Sequence, residues 1–442
     1  MPTLTIIRTD QPDFFSTWQT LRQKLSLEKQ LFDDTQRLQR VREIISRVRQ
    51  DRDEAVVEYT SKFDNVDFRP GQFRVSAEEL AAAHSRMDPA LLTALRQAIA
   101  NVRRYQEHIK ISTPADINRQ GIRLGLRYRP LQRVGVCVPG AAAPLVSTVV
   151  MTVVPAQVAG VPQIAVVSCP RYQGTIHPDI LGLCRELNIS EVYRVSGAQA
   201  IAALAFGTEH IPKVDKIVGP GNWWVQLAKK EVFGLVDIDS FAGPSEVLIL
   251  ADESAHPAWI AADMLSQAEH ALDSTAILCT DSATIAQRVS EQLDIQLKLL
   301  NRQQETRQSI QNCSLAVITR NMDEALELCN EFAPEHLQIQ TREPETLLDK
   351  VTAAGAIFLG AYSPVATGDY YAGPSHTLPT GSSARFFNPL CVNDFLNHSS
   401  IIEYNADALA HAASDITTIA RSESLTAHAR SVTIRNQSQQ AK

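Results

Sequence analysis

The sequence predicts an α/β protein with two parallel-sheet domains and helical N-terminal and C-terminal extensions, and three observations carry that prediction. Short β-branched runs alternate with helical stretches from Arg133 onward, the alternation falls into two series, and helical patterns precede and follow them. Strand–helix alternation of this kind implies βαβ units, with helices covering both faces of a parallel sheet.

The elements follow in order. Residues from about 33 to 110 read as helices, because Leu38, Val41, Ile44, Ile45 and Val48, and later Leu91, Leu92, Leu95, Ile99 and Val102, recur at helical spacing. The first series places strands at 164–167, 192–195 and 217–218, with helices near 179–187, 199–206 and 225–232. The second places strands at 247–250, 276–279, 315–318, 337–339 and 356–359, with helices near 258–270, 285–299, 322–332 and 343–351. Residues 363–389, rich in Gly, Pro, Ser and Thr, close that series, and helices over 407–421 and 423–435 form a tail. Ligands of open α/β sheets bind beyond the carboxyl ends of strands, so functional motifs are expected just after strands.

Composition narrows the function classes. The 442 residues suffice for about two to four domains with filled cores. A net charge of −7 argues against a nucleic-acid or anionic-membrane surface. The seven cysteines are scattered without a CxxC pair, which excludes a disulfide framework and suits a reducing cytoplasm. No apolar run reaches membrane-spanning length. The first ten residues are polar where a signal peptide needs an apolar core, so a cytoplasmic protein is expected.

Several stretches carry chemistry-bearing residues, and each alone is ambiguous. Gln267 and His270, three apart, would share one face of a helix, where amide oxygen and imidazole suit a metal, although such pairs are mostly surface polar residues. Ser245 in Ala242-Gly243-Pro244-Ser245-Glu246 lies outside any Gly-x-Ser-x-Gly nucleophile elbow and also reads as a turn residue. Glu335 and His336 adjoin at an element boundary, where they can act as general acid and base or form an ordinary charged loop. Asp369 and His376 flank a stiff Gly/Pro loop, and Glu423 and His428 sit near the C-terminus. Gly219-Pro220-Gly221-Asn222 after a short strand offers a phosphate-approach turn, but Trp224 stands where G-x-G-x-x-G has its third glycine.

Together and in order, these stretches resemble the histidinol dehydrogenase family. The likeness runs from about Phe32 to Val432 through Val138-Pro139-Gly140, the run from Gly197 to Glu209, Val214 to Asn222, Ser266 to His270, Pro334 to Leu337, Gly368-Asp369-Tyr370, His376 to Thr380 and Leu425 to His428. The resemblance implies oxidation of L-histidinol through L-histidinal to L-histidine with two NAD. It implies one zinc per subunit on Gln267, His270, Asp369 and His428, a donor set that also suits manganese or cobalt. Glu335 and His336 would be the acid–base pair. Ser245, Gln267, His270, Glu335, His336, Asp369, Glu423 and His428 would contact substrate, and Gln199 and Asn222 would contact NAD.

The same resemblance implies two incomplete dinucleotide-fold (Rossmann-like) domains. An N-terminal extension of residues 1–32 would precede a discontinuous catalytic domain of 33–134 and 246–390. A second domain of 135–245 would hold NAD, and a helical tail of 391–442 would be exchanged in a homodimer. Three departures from the family bear on NAD binding more than on the chemistry. They are Cys137 where a tyrosine is common, Ala141 in place of a second glycine, and Ala271-Leu272 after His270. Two rivals would use the same residue types: a zinc- and NAD-dependent dehydrogenase of another small alcohol, such as a dihydroxypropane sulfonate, and a zinc hydrolase with Glu335 as base.

Overall fold

A computed structural model of the chain describes residues 3–141 and 143–440. The chain divides into two units, Met1–Ile109 with Gln132–Asp394, and Lys110–Leu131 with Phe395–Lys442.

The first unit contains two wholly parallel sheets. One has six strands in the spatial order Thr5–Arg8, Leu315–Ile318, Thr275–Thr280, Glu246–Ala251, His336–Gln340 and Ala356–Leu359. The other has five, in the order Glu191–Tyr193, Gln163–Ser168, Arg133–Val138, Lys216–Val218 and Asp237–Ile238. Every residue of the central strands Glu246–Ala251 and Thr275–Thr280 is buried, because helices cover both faces. Side chains alternate between those faces. Val247, Ile249 and Ala251 pack with Ile260 and Met264 on one side, while Leu248 and Leu250 pack with Leu326 and Phe332 on the other. The doubly wound α/β prediction therefore holds. The expected N-terminal extension also supplies an edge strand, Thr5–Arg8, and the helices Phe14–Leu25 and Leu27–Phe32.

The second unit departs from its sequence reading. Ile122–Pro130 pairs antiparallel with Ile117–Arg119 and with Leu396–Tyr404, so the tail begins as a strand before its helices Ala406–Ser422 and Thr426–Gln440. Ile122, Leu124, Leu126 and Tyr128 alternate with Arg123, Gly125, Arg127 and Arg129 in the period of a strand, whereas Leu396–Tyr404 shows no such period, and most residues of the three strands are exposed. The turn between the first two has φ of 48° at Gln120 and 79° at Gly121, the two-residue hairpin geometry that favours glycine.

Helix Pro257–Ala268 is tied to strand His336–Gln340 by a buried polar contact, in which Gln340 Nε2 donates to Asp263 Oδ2 at 2.8 Å. Burial pushes the Asp263 carboxyl up to about 6 from an ordinary 3.8. An acid whose folded pKa is raised favours folding in its protonated form. Its contribution is complete below pH 3.8 and is lost as pH rises through 6. Asp263→Asn should consequently stabilise the protein at pH 8 by up to ~3 kcal/mol and do little at pH 4. Urea unfolding of both proteins at the two pH values checks this, and an equal difference at both would refute it.

Candidate active site

The parallel pairing sets His336 opposite Val247, which brings Glu335 beside Glu246 at the amino ends of the two central strands. The sequence reading looked to carboxyl ends. The structure corrects this for the acid–base side, because Ser245, Glu246, Glu335 and His336 all lie at amino ends. The helix that follows Glu246–Ala251 runs back antiparallel to it, so its last turn returns Gln267 to the same edge.

Four groups interlock there. The Glu246 backbone N–H donates to Glu335 Oε2 at 2.7 Å, and the Glu335 N–H donates to Glu246 Oε2 at 3.4 Å. Glu246 Oε1 accepts the Gly381 N–H at 3.0 Å. His336 Nδ1 lies 2.8 Å from the Glu246 carbonyl, which fixes the proton on Nδ1. His336 Nε2 has no hydrogen-bond partner among the described residues. It lies 3.6 Å from Asp369 Oδ1, beyond hydrogen-bond range.

Burial dominates the charges. It raises the carboxyls of Glu335 and Glu246, and at Glu246 the neighbouring Glu335 adds to the effect. Burial works against a charged His336, but the carboxylates of Glu335 and Asp369 outweigh it and raise the imidazole. Asp369, on the short helix Val365–Tyr370, shows the converse. Burial opposes its ionisation, yet attraction to His336, His376 and His270 holds it below its ordinary value.

Gln267 is buried, and its Nε2 has no partner among the described residues. His270 was expected on the same helical face. The helix instead ends at Ala268, and the His270 N–H donates to the Gln267 carbonyl at 3.3 Å in a tight turn. His270 keeps an exposed edge, but packing around its ring lowers its pKa, and Asp369 works in the opposite direction. His376 bridges two segments, with Nδ1 3.1 Å from the Asp369 carbonyl and Nε2 3.3 Å from Thr148 Oγ1. Among the described residues no three His, Cys, Asp or Glu side chains form a metal-binding group. A donor set drawn from this unit contains the amide of Gln267 beside only His270 and Asp369. The amide oxygen of Gln267, an imidazole and a carboxylate held below its ordinary pKa are donor types that suit a zinc-type ion with an open position. Glu423 and His428 belong to the other unit and are exposed, Glu423 at the C-cap of helix Ala406–Ser422 and His428 in the first turn of Thr426–Gln440.

The glycine turn does lie at the carboxyl end of a strand. The Gly219–Asn222 turn follows strand Lys216–Val218 and opens helix Trp223–Val232. Asn222 caps that helix, accepting the N–H groups of Trp224 at 3.1 Å and Val225 at 3.3 Å, so it already has a structural task. A Cβ on Gly219, at φ 104°, would lie 2.3 Å from the Cys137 carbonyl, and only glycine fits. The turn is pinned from below. Asp239 accepts the Gly219 N–H at 2.6 Å, and Lys229 Nζ donates to the Gly219 carbonyl at 2.7 Å and to Asp239 at 2.6 Å, both side chains being buried. Gln199 lies in the first turn of helix Gly197–Phe206, buried, with Oε1 lacking a partner among the described residues. Desolvation pushes the Cys137 thiol up to about 12, so it remains an unreactive thiol.

The histidinol dehydrogenase family profile matches residues 27–436. The chain belongs to that family. Histidinol dehydrogenases from Heliobacterium mobile and Rhodopirellula baltica are 46% identical over 409 residues and 49% identical over 384. Those matches cover 92% and 87% of this chain, and 96% and 83% of the relatives. The crystal structure of histidinol dehydrogenase from Elizabethkingia anophelis superposes with a TM-score of 0.91 at 33% identity, over 100% of this chain and 99% of that one. Membership makes this chain an NAD-dependent oxidoreductase. None of its described helices is long and apolar enough to cross a membrane.

For a histidinol dehydrogenase fold the residue overlooked by motif reading is Glu246. It stands in the stretch Ala242-Gly243-Pro244-Ser245-Glu246 and heads the apolar run Val247-Leu248-Ile249-Leu250-Ala251, with no role assigned to it from sequence. The buried Lys229–Asp239 pair under the glycine turn yields a stability prediction. Lys229→Met strands a buried carboxylate and should cost about 3–5 kcal/mol in chemical unfolding. A loss below ~1 kcal/mol would mean that the pair does not carry the turn.

Proposed function

We propose that this chain is a zinc-dependent histidinol dehydrogenase, which oxidises L-histidinol through L-histidinal to L-histidine in histidine biosynthesis, in the cytoplasm. The observation that carries the reading is the buried His336 Nε2, unpartnered and 3.6 Å from Asp369, at the edge where the unpartnered Gln267 amide also ends. Zinc held by Gln267, His270, Asp369 and His428 would supply an electropositive anchor for substrate nitrogens, and NAD, used twice, the hydride acceptor.

The protein's own groups do the proton work. Asp369, once engaged with a cation, favours the imidazolium less, so His336 Nε2 is released to accept the hydroxyl proton as hydride leaves the carbinol carbon. Glu335, held beside His336, orients and deprotonates the water that adds to the aldehyde. Ser245, Asp369 and Glu423 suit the substrate's ammonium. Gln199 and Asn222 would flank NAD over the Gly219 turn. The catalytic domain is assigned to residues 33–134 and 246–390, and the NAD domain to 135–245.

The site is proposed to be completed across a homodimer by Glu423 and His428 of an exchanged tail. Exposed apolar side chains on the second unit support a covering partner. Ile117 is 65% exposed, Ile402 71% and Ile419 61%.

Purified protein loaded with zinc should form two NADH per histidine from L-histidinol. One NADH per turnover, with histidinal released, would overturn the two-step reading. His336→Asn should bind substrate normally and lose roughly 10²–10⁴-fold in rate; a loss under tenfold would remove His336 as the base. His270→Asn and His428→Asn should lower zinc content and activity together, and full occupancy in either would remove that residue from the ligand set.

A further inference from the structure

The hydrogen bonds of Glu246 go to every part of the acid–base pair and to one further turn. Its backbone N–H holds the Glu335 carboxylate, its carbonyl holds His336 Nδ1, and its carboxylate accepts the N–H groups of Glu335 and Gly381. The residue is fully buried and opens a strand whose other five members are Val, Leu, Ile, Leu and Ala. A buried carboxylate is costly unless it is bonded, and an apolar residue would complete this strand without that cost. Both of its oxygens are spent on backbone N–H groups, so the side chain stands too deep to be the group that touches substrate.

We infer that Glu246 is a positioning residue whose carboxylate clamps the Glu335 and Gly381 segments, so that Glu335 and His336 meet the substrate in fixed orientation. The inference rests on Glu335 and His336 being the acid–base pair. The clamp acts in both directions. Each glutamate's carboxylate takes the other's N–H, so displacing the Glu246 side chain releases the Glu335 backbone and lets its carboxylate swing. Gly381 lies in a left-handed turn, with φ of 58° there and 65° at Ser382, and Ser382 Oγ donates to the Phe332 carbonyl at 2.7 Å. The same carboxylate thus fixes a turn that leans on the helix leading into Glu335. His336 is held by the Glu246 main chain, which a side-chain substitution leaves in place. The Glu335 carboxylate is also held by the Glu246 main-chain N–H, while the Glu246 side chain holds the Glu335 backbone N–H, so a side-chain substitution loosens the Glu335 segment and leaves the His336 contact in place.

Glu246→Gln keeps the volume but turns one acceptor into an NH₂ that faces a backbone N–H, and so opens one side of the clamp. Misplacement of this kind costs on the order of 10- to 100-fold in kcat, with the KM for NAD unchanged. Because Glu335 serves the water-addition half, NADH formation from supplied histidinal should fall more than the first-turnover NADH burst from histidinol. Glu246→Gln combined with Glu335→Gln should be no slower than Glu335→Gln alone. A merely structural role would slow both halves equally, add to the Glu335→Gln defect and lower Tm, and that pattern would overturn the inference. Should Glu246→Gln fail to fold, Glu246→Asp retains the charge but reaches only one N–H, and the same bias toward the aldehyde half is expected of it. A full rate in Glu335→Gln would defeat the acid–base reading itself. A slow Glu335→Gln beside a Glu246→Gln at wild-type rate would defeat the clamp alone.

Discussion

The site depends on one register, the parallel pairing of Glu246–Ala251 with His336–Gln340. With His336 opposite Val247, Glu246 and Glu335 are side by side where the sheet stops, and each can satisfy the other's backbone N–H. A slip of one residue would turn His336 toward the opposite helix layer and exchange the buried Leu and Val faces. That alternative is closed off, because Val247 and Ile249 pack with one set of helices while Leu248, Leu250, Leu337 and Ile339 pack with the other. Hydrophobic patterning, which has no chemistry of its own, thereby sets the orientation of an acid–base pair.

The same edge gathers charge that ordinary burial would expel. Glu246, Glu335, His336 and Asp369 are buried or nearly so, and burial alone would neutralise the acids and deprotonate the imidazole. Asp369 and His336 hold charge only through their neighbours, whereas burial raises Glu246 and Glu335. The imidazoles of His336, His376 and His270 hold Asp369 below its ordinary value, and the charges of Glu335 and Asp369 favour the protonated form of His336. Such a set is tuned by whatever cation or ammonium enters, since either one competes for Asp369 and so lowers the hold on the His336 proton. The opposite, nucleotide side is organised without that responsiveness. There a single buried Lys229–Asp239 pair fixes a glycine turn whose geometry admits no side chain.

Much of this was legible in the chain itself. Strands buried on both faces announce themselves as continuous apolar runs, and 247–250, 276–279 and 337–339 fall inside observed strands. Residue types were legible too, because Gln267, Glu335, His336 and Asp369 stand out as polar residues flanking such runs. Position along the sheet was not. The carboxyl-end rule describes where loops are free to vary, whereas here a clamp of two glutamates closes the amino end. The helix register of His270 was illegible because one turn's termination at Ala268 depends on tertiary packing. Strand Ile122–Pro130 was open to reading, since Ile122, Leu124, Leu126 and Tyr128 alternate with arginine and glycine, but its partner Leu396–Tyr404 carries no hydrophobic period and was illegible. The role of Glu246 was illegible for a different reason, since its carboxylate serves two backbone N–H groups that no side-chain motif encodes.

Asn222 and Gln199 show how far a shared residue type can mislead or inform. Asn222 is explained completely as a helix cap by its bonds to Trp224 and Val225, so its conformation alone says nothing about a nucleotide. Gln199 is the stronger pointer. It is buried among Ala198, Ala200 and Ile201 with an unpartnered oxygen, a cost that the helix Gly197–Phe206 would avoid with any apolar residue. Gly197, whose added Cβ would lie 2.9 Å from that oxygen, keeps the space beside it open. The buried acceptor, more than the glycine turn, is the feature on the nucleotide side that packing alone does not explain.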